Sequence, residues 1–187
     1  MTDPDKPRPL FNPDLAGWRM AGQGRFRWVA DGILETEGGH GLFWYEAETF
    51  ADFTLQVDWC SWEDHDNSGI FLRTPPLTEG PGPAIEHGYE VQIDNRGIAP
   101  DGSRDSPLHL TGAVYRLAPA LAAAFHPIGV WNRYRITAIA DDITVILNDR
   151  AVSRLTGGTR RRSGHIALQA HHVGSRVQFR DILIQGL

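Results

Sequence analysis

Glu90, Gln92 and Asp94 recur at every second position of Gly88-Tyr89-Glu90-Val91-Gln92-Ile93-Asp94. On an extended strand that spacing puts a carboxylate, an amide and a second carboxylate on one face, with Tyr89, Val91 and Ile93 on the other. The apolar face suits a core. The polar row suits the lining of a groove, where carboxylates can move protons or hold hydroxyls and an amide can orient a ligand. Arg73 closes the preceding run, Asn67-Ser68-Gly69-Ile70-Phe71-Leu72-Arg73. If the two runs pair, Arg73 is expected beside the row.

The elements that must hold this row read as strands. Trp28-Val29-Ala30, the Asp31-Gly32 turn and Ile33-Leu34-Glu35 form a hairpin signal, because Asp-Gly tolerates the positive φ of a tight turn. Phe53, Leu55, Val57 and Trp59 alternate with polar residues and must share the face of a half-buried antiparallel strand. Trp131 to Ile139 alternates in the same way and turns at Asp141-Asp142 into Ile143 to Leu147. His165 to His171 and Val177 to Ile184 close the chain. Residues 1–9 read as a flexible lead and 10–187 as one domain. The Pro- and Gly-rich stretch Pro75 to His87 is expected to be irregular, 95–111 a second long loop, Thr111 to Tyr115 a short strand, and Ala118 to Ala124 one helical turn or two. Many short strands with Gly, Asp and Asn turns predict an all-β fold, a jelly-roll β-sandwich of two antiparallel sheets.

Composition narrows the partners. With 187 residues, 41% hydrophobic and 22% charged, the chain is large enough for one substantial core. A net charge of −5 argues against nucleic-acid binding, which wants a basic surface. The run Arg160-Arg161-Arg162 reads as a solvated loop. A single cysteine, Cys60, excludes an intrachain disulfide and reads as a buried, inert thiol. Neither a secretory leader nor a membrane-spanning run is visible, so a cytoplasmic location is expected; an exported form trimmed of its leader would look the same.

The blocks Asn67–Arg73 and Gly88–Asp94 resemble the 3-keto-disaccharide hydrolase domain family. Leu10-Phe11-Asn12, Leu15 to Trp18, Asp52-Phe53, Thr111 to Tyr115, Trp131-Asn132, Ile166 to Gln169 and Val177 to Ile182 follow in the family's order. The resemblance implies a concanavalin A-like sandwich akin to that of family-sixteen glycoside hydrolases, and a carbohydrate as the ligand. Two departures stand out: Asn12-Pro13-Asp14 lacks the usual Gly-Lys, and Gln169-Ala170-His171-His172 replaces a more typical Gln, Asp, His, Gly.

Glu90 and Asp94 do not suit an ordinary glycosidase pair. Four residues of strand separate their Cα atoms by about 13 Å, whereas retaining and inverting enzymes hold their carboxyl groups about 5–5.5 Å and about 6.5–9.5 Å apart. A 3-keto sugar asks for less: a base for the acidic C2 proton, a group for the enolate oxygen O3, and a donor for the leaving oxygen. On this reading Glu90 is the base, Arg73 the enolate or hydroxyl clamp, and His171 or Asp94 the acid. Asn67, Gln92 and Tyr115 orient hydroxyls, and Trp131 or Trp62 is an aromatic platform. No cofactor is required, although a divalent metal polarising O3 from Glu90, Asp94 and His171 is compatible with these residue types. A lectin-like binding domain and a protein-interaction domain are the alternatives, since fold alone does not decide between them.

Overall fold

The computed structural model describes residues 6–187. Its strands are β1 (Arg8–Pro9), β2 (Trp18–Gly22), β3 (Arg25–Ala30), β4 (Ile33–Glu37), β5 (Gly41–Tyr45), β6 (Phe53–Ser61), β7 (Asn67–Thr74), β8 (Tyr89–Asp94), β9 (Asn132–Ile139), β10 (Asp142–Leu147), β11 (Arg150–Leu155), β12 (His165–Ala170) and β13 (Val177–Gly186), with one short helix, α1 (Gly82–His87), before β8. Two antiparallel sheets result. One runs β11-β10-β9-β6-β13-β4-β3, with β1 added to β13, and the other runs β2-β5-β12-β7-β8.

The core fills the space between the sheets. Phe53, Leu55, Val57 and Trp59 of β6 enter it together, as their alternation predicts, and meet Ile70, Leu72, Tyr89, Val91, Ile93, Ile166 and Leu168 of the second sheet. Cys60 is buried and free. Among the described residues, no helix is long and apolar enough to cross a membrane.

Five expectations are corrected here. The lead predicted over residues 1–9 lies outside the described residues as far as residue 5; Arg8 and Pro9 are the strand β1, paired with Ile184 and Leu183. The Pro75–His87 stretch contains α1, because Pro81 and Pro83 fall at the start of the helix, where a missing N–H costs nothing, and Pro75 and Pro76 lie before it. Residues 118–124 take no helical turn: Pro119 restrains Ala118 from the helical region, and Ala118 bridges Val114 instead. Thr111 to Tyr115 is no separate strand but lines the edge of β8. There, Gly112 N donates to Gln92 O, Gln92 N to Ala113 O, and Tyr115 N to Glu90 O (3.0, 3.0 and 2.8 Å).

Arg160 is not a solvated loop residue. Its Nη1 donates to Ile85 O (3.0 Å) and Gly88 O (2.6 Å), holding carbonyls at the end of α1. Arg161 and Arg162 remain exposed.

Candidate active site

The register of the five-stranded sheet lays out its outer face. Glu90 stands opposite Phe71, Gln92 opposite Gly69 and Asp94 opposite Asn67. Phe71 in turn is opposite Ala167, which is opposite Trp44, while Gln169 is opposite Leu42. This face is split by chemistry. Leu42, Trp44, Phe71 and Ala167 are roofed by Leu77 and by Ala84 and Ile85 of α1, which leaves the polar half open. There a cavity of about 510 Å³ is lined by Asn67, Glu90, Gln92, Asp94, Tyr115 and His171, a size suited to a small-molecule ligand.

Glu90 lies over Gly69. A Cβ at residue 69 would come within 2.4 Å of Glu90 Oε1 and 2.9 Å of its Cγ, so glycine is what makes room for the carboxyl. Gln92 donates to Glu90 Oε1 (3.2 Å) and to Ser68 O (3.1 Å) in the amide orientation that satisfies both of its ends. From beneath, Tyr134 Oη of β9 donates across the core to Gln92 O at 2.6 Å, tying the site strand to the other sheet. Gly69→Ala is therefore expected to leave the fold intact but displace the carboxyl. A displacement of about 1 Å lowers kcat on the order of 10²-fold, to be checked by steady-state kinetics alongside thermal unfolding.

Burial sets the charge states. Glu90 is 7% exposed, and burial pushes its pKa up to about 8 against the opposing pull of Arg160 and Arg116. Burial pulls His171 down to about 4, helped by His172 and His40 and opposed by Asp94. Burial likewise raises the Tyr115 phenol above its ordinary value. At neutral pH the site thus holds a largely protonated carboxyl, a neutral imidazole and an intact phenol. Asn67 Oδ1 and Gln169 Oε1 are buried without a hydrogen-bond partner, two acceptors left for hydroxyls of a ligand.

Three sequence expectations for the site are corrected. Arg73, fully buried, is absent from the cavity. The Phe71–Thr74 segment of β7 carries one residue more than its partner on β12, and Arg73 sits at φ 52°. This bulge breaks the alternation that would have pointed it at the row. Instead, its Nε and Nη1 donate to Ala51 O (2.9 Å) and Ala140 O (2.6 Å), and Nη2 pairs with Asp52 at 3.2 Å.

Asp94 is in the row, but its oxygens are engaged. Oδ1 accepts from Arg96 N (3.0 Å), and Oδ2 accepts from Ile98 N (3.1 Å) and Asn67 Nδ2 (3.3 Å). It caps the turn that follows β8 and is not free to act as the acid. Trp131 directly precedes β9 of the opposite sheet and lies with Asp58 in a separate depression, its ring covered by Arg180 at 4.0 Å. Trp62 is likewise away from the cavity, with Arg176 at 5.4 Å from its ring. Neither is a platform for the row.

The metal set fails with Asp94. Among the described residues, no three His, Cys, Asp or Glu side chains gather to hold a cation.

The cavity is also lined by residues not selected from the sequence, among them Arg96, Arg116, Gln169, His40 and His172. Gln169 follows the alternation of β12 and was legible in principle. His40 and His172 come from turns. Arg116, exposed at the lip with φ 63°, lies over the Tyr115 ring at 5.4 Å and, with Arg96, brings positive charge to the cavity lining.

A polar cavity on the outer face of one sheet of a two-sheet antiparallel sandwich places the chain among the galectin- and concanavalin A-like folds. It belongs to the 3-keto-alpha-glucoside-1,2-lyase-like domain family, whose sequence profile matches residues 6–185. A protein of Parabacteroides distasonis described as a candidate glycosyl hydrolase is similar in structure at 22% identity. The match covers 97% of this chain and 100% of that one, with a TM-score of 0.78. A galectin-like protein of unknown function from Bacillus subtilis is similar at 17% identity (96% and 94% covered, TM-score 0.70). A carbohydrate-binding module from the same organism is similar at 13% (91% and 96%, TM-score 0.64). No curated protein matches the chain.

Proposed function

We propose that the domain cleaves the glycosidic bond of 3-keto glycosides by elimination. The observation that carries this reading is one cavity wall holding a carboxyl raised to about 8 and an imidazole lowered to about 4. A carboxylate base of raised pKa is matched to a carbon acid, and a neutral imidazole N–H is a donor suited to a developing enolate. Membership in a lyase-like family supports the same reaction class.

In the proposed reaction, ionised Glu90 takes the proton from C2 and the electron pair passes to O3 as an enolate. His171 donates an N–H to O3, and Arg116 adds positive charge from the lip. Collapse of the enolate forms the C1–C2 double bond and breaks the bond from C1 to the glycosidic oxygen, which leaves with the Tyr115 proton. Glu90 then returns its proton through solvent to Tyr115. Asn67 and Gln169 accept hydrogen bonds from ring hydroxyls, and water addition to C1 would complete a net hydrolysis.

The test is turnover of a 3-keto glucoside beside the matching unoxidised glucoside. Cleavage of the keto substrate alone is the expected result. Cleavage of the unoxidised one overturns the elimination, and sugar binding without cleavage of either supports a lectin-like domain. The pH profile adds a second check. Only ionised Glu90 is active, so kcat/KM is expected to rise about tenfold per pH unit below about 8 and level off above it. No second inflection from His171 is expected above its own value of about 4.

A further inference from the structure

The hydrogen bond between two histidines at the cavity rim has a direction, and that direction decides what His171 can do. His171 Nδ1 and His172 Nδ1 lie 2.9 Å apart, with their rings perpendicular at a centroid distance of 5.2 Å. A neutral imidazole carries one N–H. One Nδ1 of this pair must therefore hold the proton and the other must accept it. Were His171 the donor, its Nε2 would be a lone pair and could only accept. With His172 as the donor, His171 Nδ1 is filled and its own proton sits on Nε2.

The geometry points to His172 as a positioning residue that fixes His171 as the Nε2–H tautomer, the form able to donate to O3; this rests on the elimination proposed above. The second nitrogen of an imidazole sets the tautomer of the first, so His172 acts through His171 and need not touch the substrate. Its own surroundings leave it free to play this part. His172 is only half-buried, with the exposed His65 ring 6.0 Å away. On the other side His40 packs at 5.8 Å from the His171 ring, and no hydrogen bond to His171 comes from that side among the described residues.

The experiment is a long-range proton–nitrogen NMR spectrum of protein labelled with 15N-histidine, recorded on wild type, His172→Ala and His172→Asn at neutral pH, with kinetics on the same samples. The amide nitrogen of the Asn variant reaches about where Nδ1 of histidine lies and can donate in its place. Expected is His171 as the Nε2–H tautomer in wild type and in His172→Asn, and a tautomer mixture in His172→Ala. The Ala variant should lose kcat by about 10–100-fold, as when a group that orients a functional imidazole is removed, with KM little changed and the Asn variant largely restored. An Nδ1–H tautomer for His171 in wild type overturns the assignment, as does equal loss of kcat in both variants. Absence of turnover by wild type overturns the elimination itself, and with it the purpose of the tautomer, whatever the spectrum shows.

Discussion

Replacing Glu90 by Gln is expected to lower kcat for a 3-keto glucoside by about 10²–10⁴-fold, the range for removal of a positioned general base, while leaving KM little changed. The substitution keeps the shape of the side chain and resembles its protonated form, so the fold has no reason to suffer. Stability gives an independent reading of the same group. The folded-state pKa is raised from 4.5 to about 8, so between those values the folded protein keeps a proton that the unfolded chain releases. Stability of wild type should therefore fall as pH rises from about 4.5 to about 8 and stay level above. Glu90→Gln removes this slope, and above pH 8 it should be more stable than wild type by about 2–4 kcal/mol. Denaturant melts at pH 5 and pH 9 check the sign. Equal slopes in the two proteins would show that the carboxyl is not held in its neutral form, and the assignment of the base would lose its support.

The second large effect concerns stability without chemistry. Arg73→Ala removes a fully buried guanidinium that joins Ala51, Asp52 and Ala140. Asp52 Oδ1 also accepts from Ala140 N at 2.9 Å, so the substitution opens a network holding the loop before β6 to the β9–β10 turn. Asp52 is itself partly exposed, so most of the cost comes from the carbonyls of Ala51 and Ala140 left without their donor, about 1–3 kcal/mol each, which lowers Tm by about 5–20 °C in a domain of this size. Arg73→Lys should fall between, because one ammonium cannot serve the carbonyls of both Ala51 and Ala140 in the fixed fork of a guanidinium. Thermal unfolding followed by circular dichroism reads both. The decisive companion is kcat of the folded Lys variant, expected to match wild type. A large loss of kcat with Tm preserved would return Arg73 to the site as a clamp.

The alternation of β6, β8 and β9 was open to reading from the chain alone, because a strand's side-chain period is two and a half-buried strand must write that period into its residue types. The sandwich, the core face of Tyr89, Val91 and Ile93, and the gathering of Asn67, Glu90 and Gln92 on one wall all follow from it. The Asp31-Gly32 hairpin is equally local, set by the backbone freedom of two residues. What the chain did not show is whatever depends on register and on loops brought from a distance. One extra residue in β7 turned Arg73 from the row into a buried strut, and no local pattern marks a bulge that exists only relative to β12. Arg116 reaches the cavity lining from a loop whose path is settled by a bridge to β8. Trp131 looked like a platform, but the strand it leads into, β9, pairs with β6 on the far sheet. The residue types of Glu90 and His171 say only that they can exchange protons. Their states, one holding its proton and the other without a charge, come from burial, deepened at His171 by His172 and His40 beside it. Desolvation is a property of everything packed around a group, so tertiary structure alone decided it.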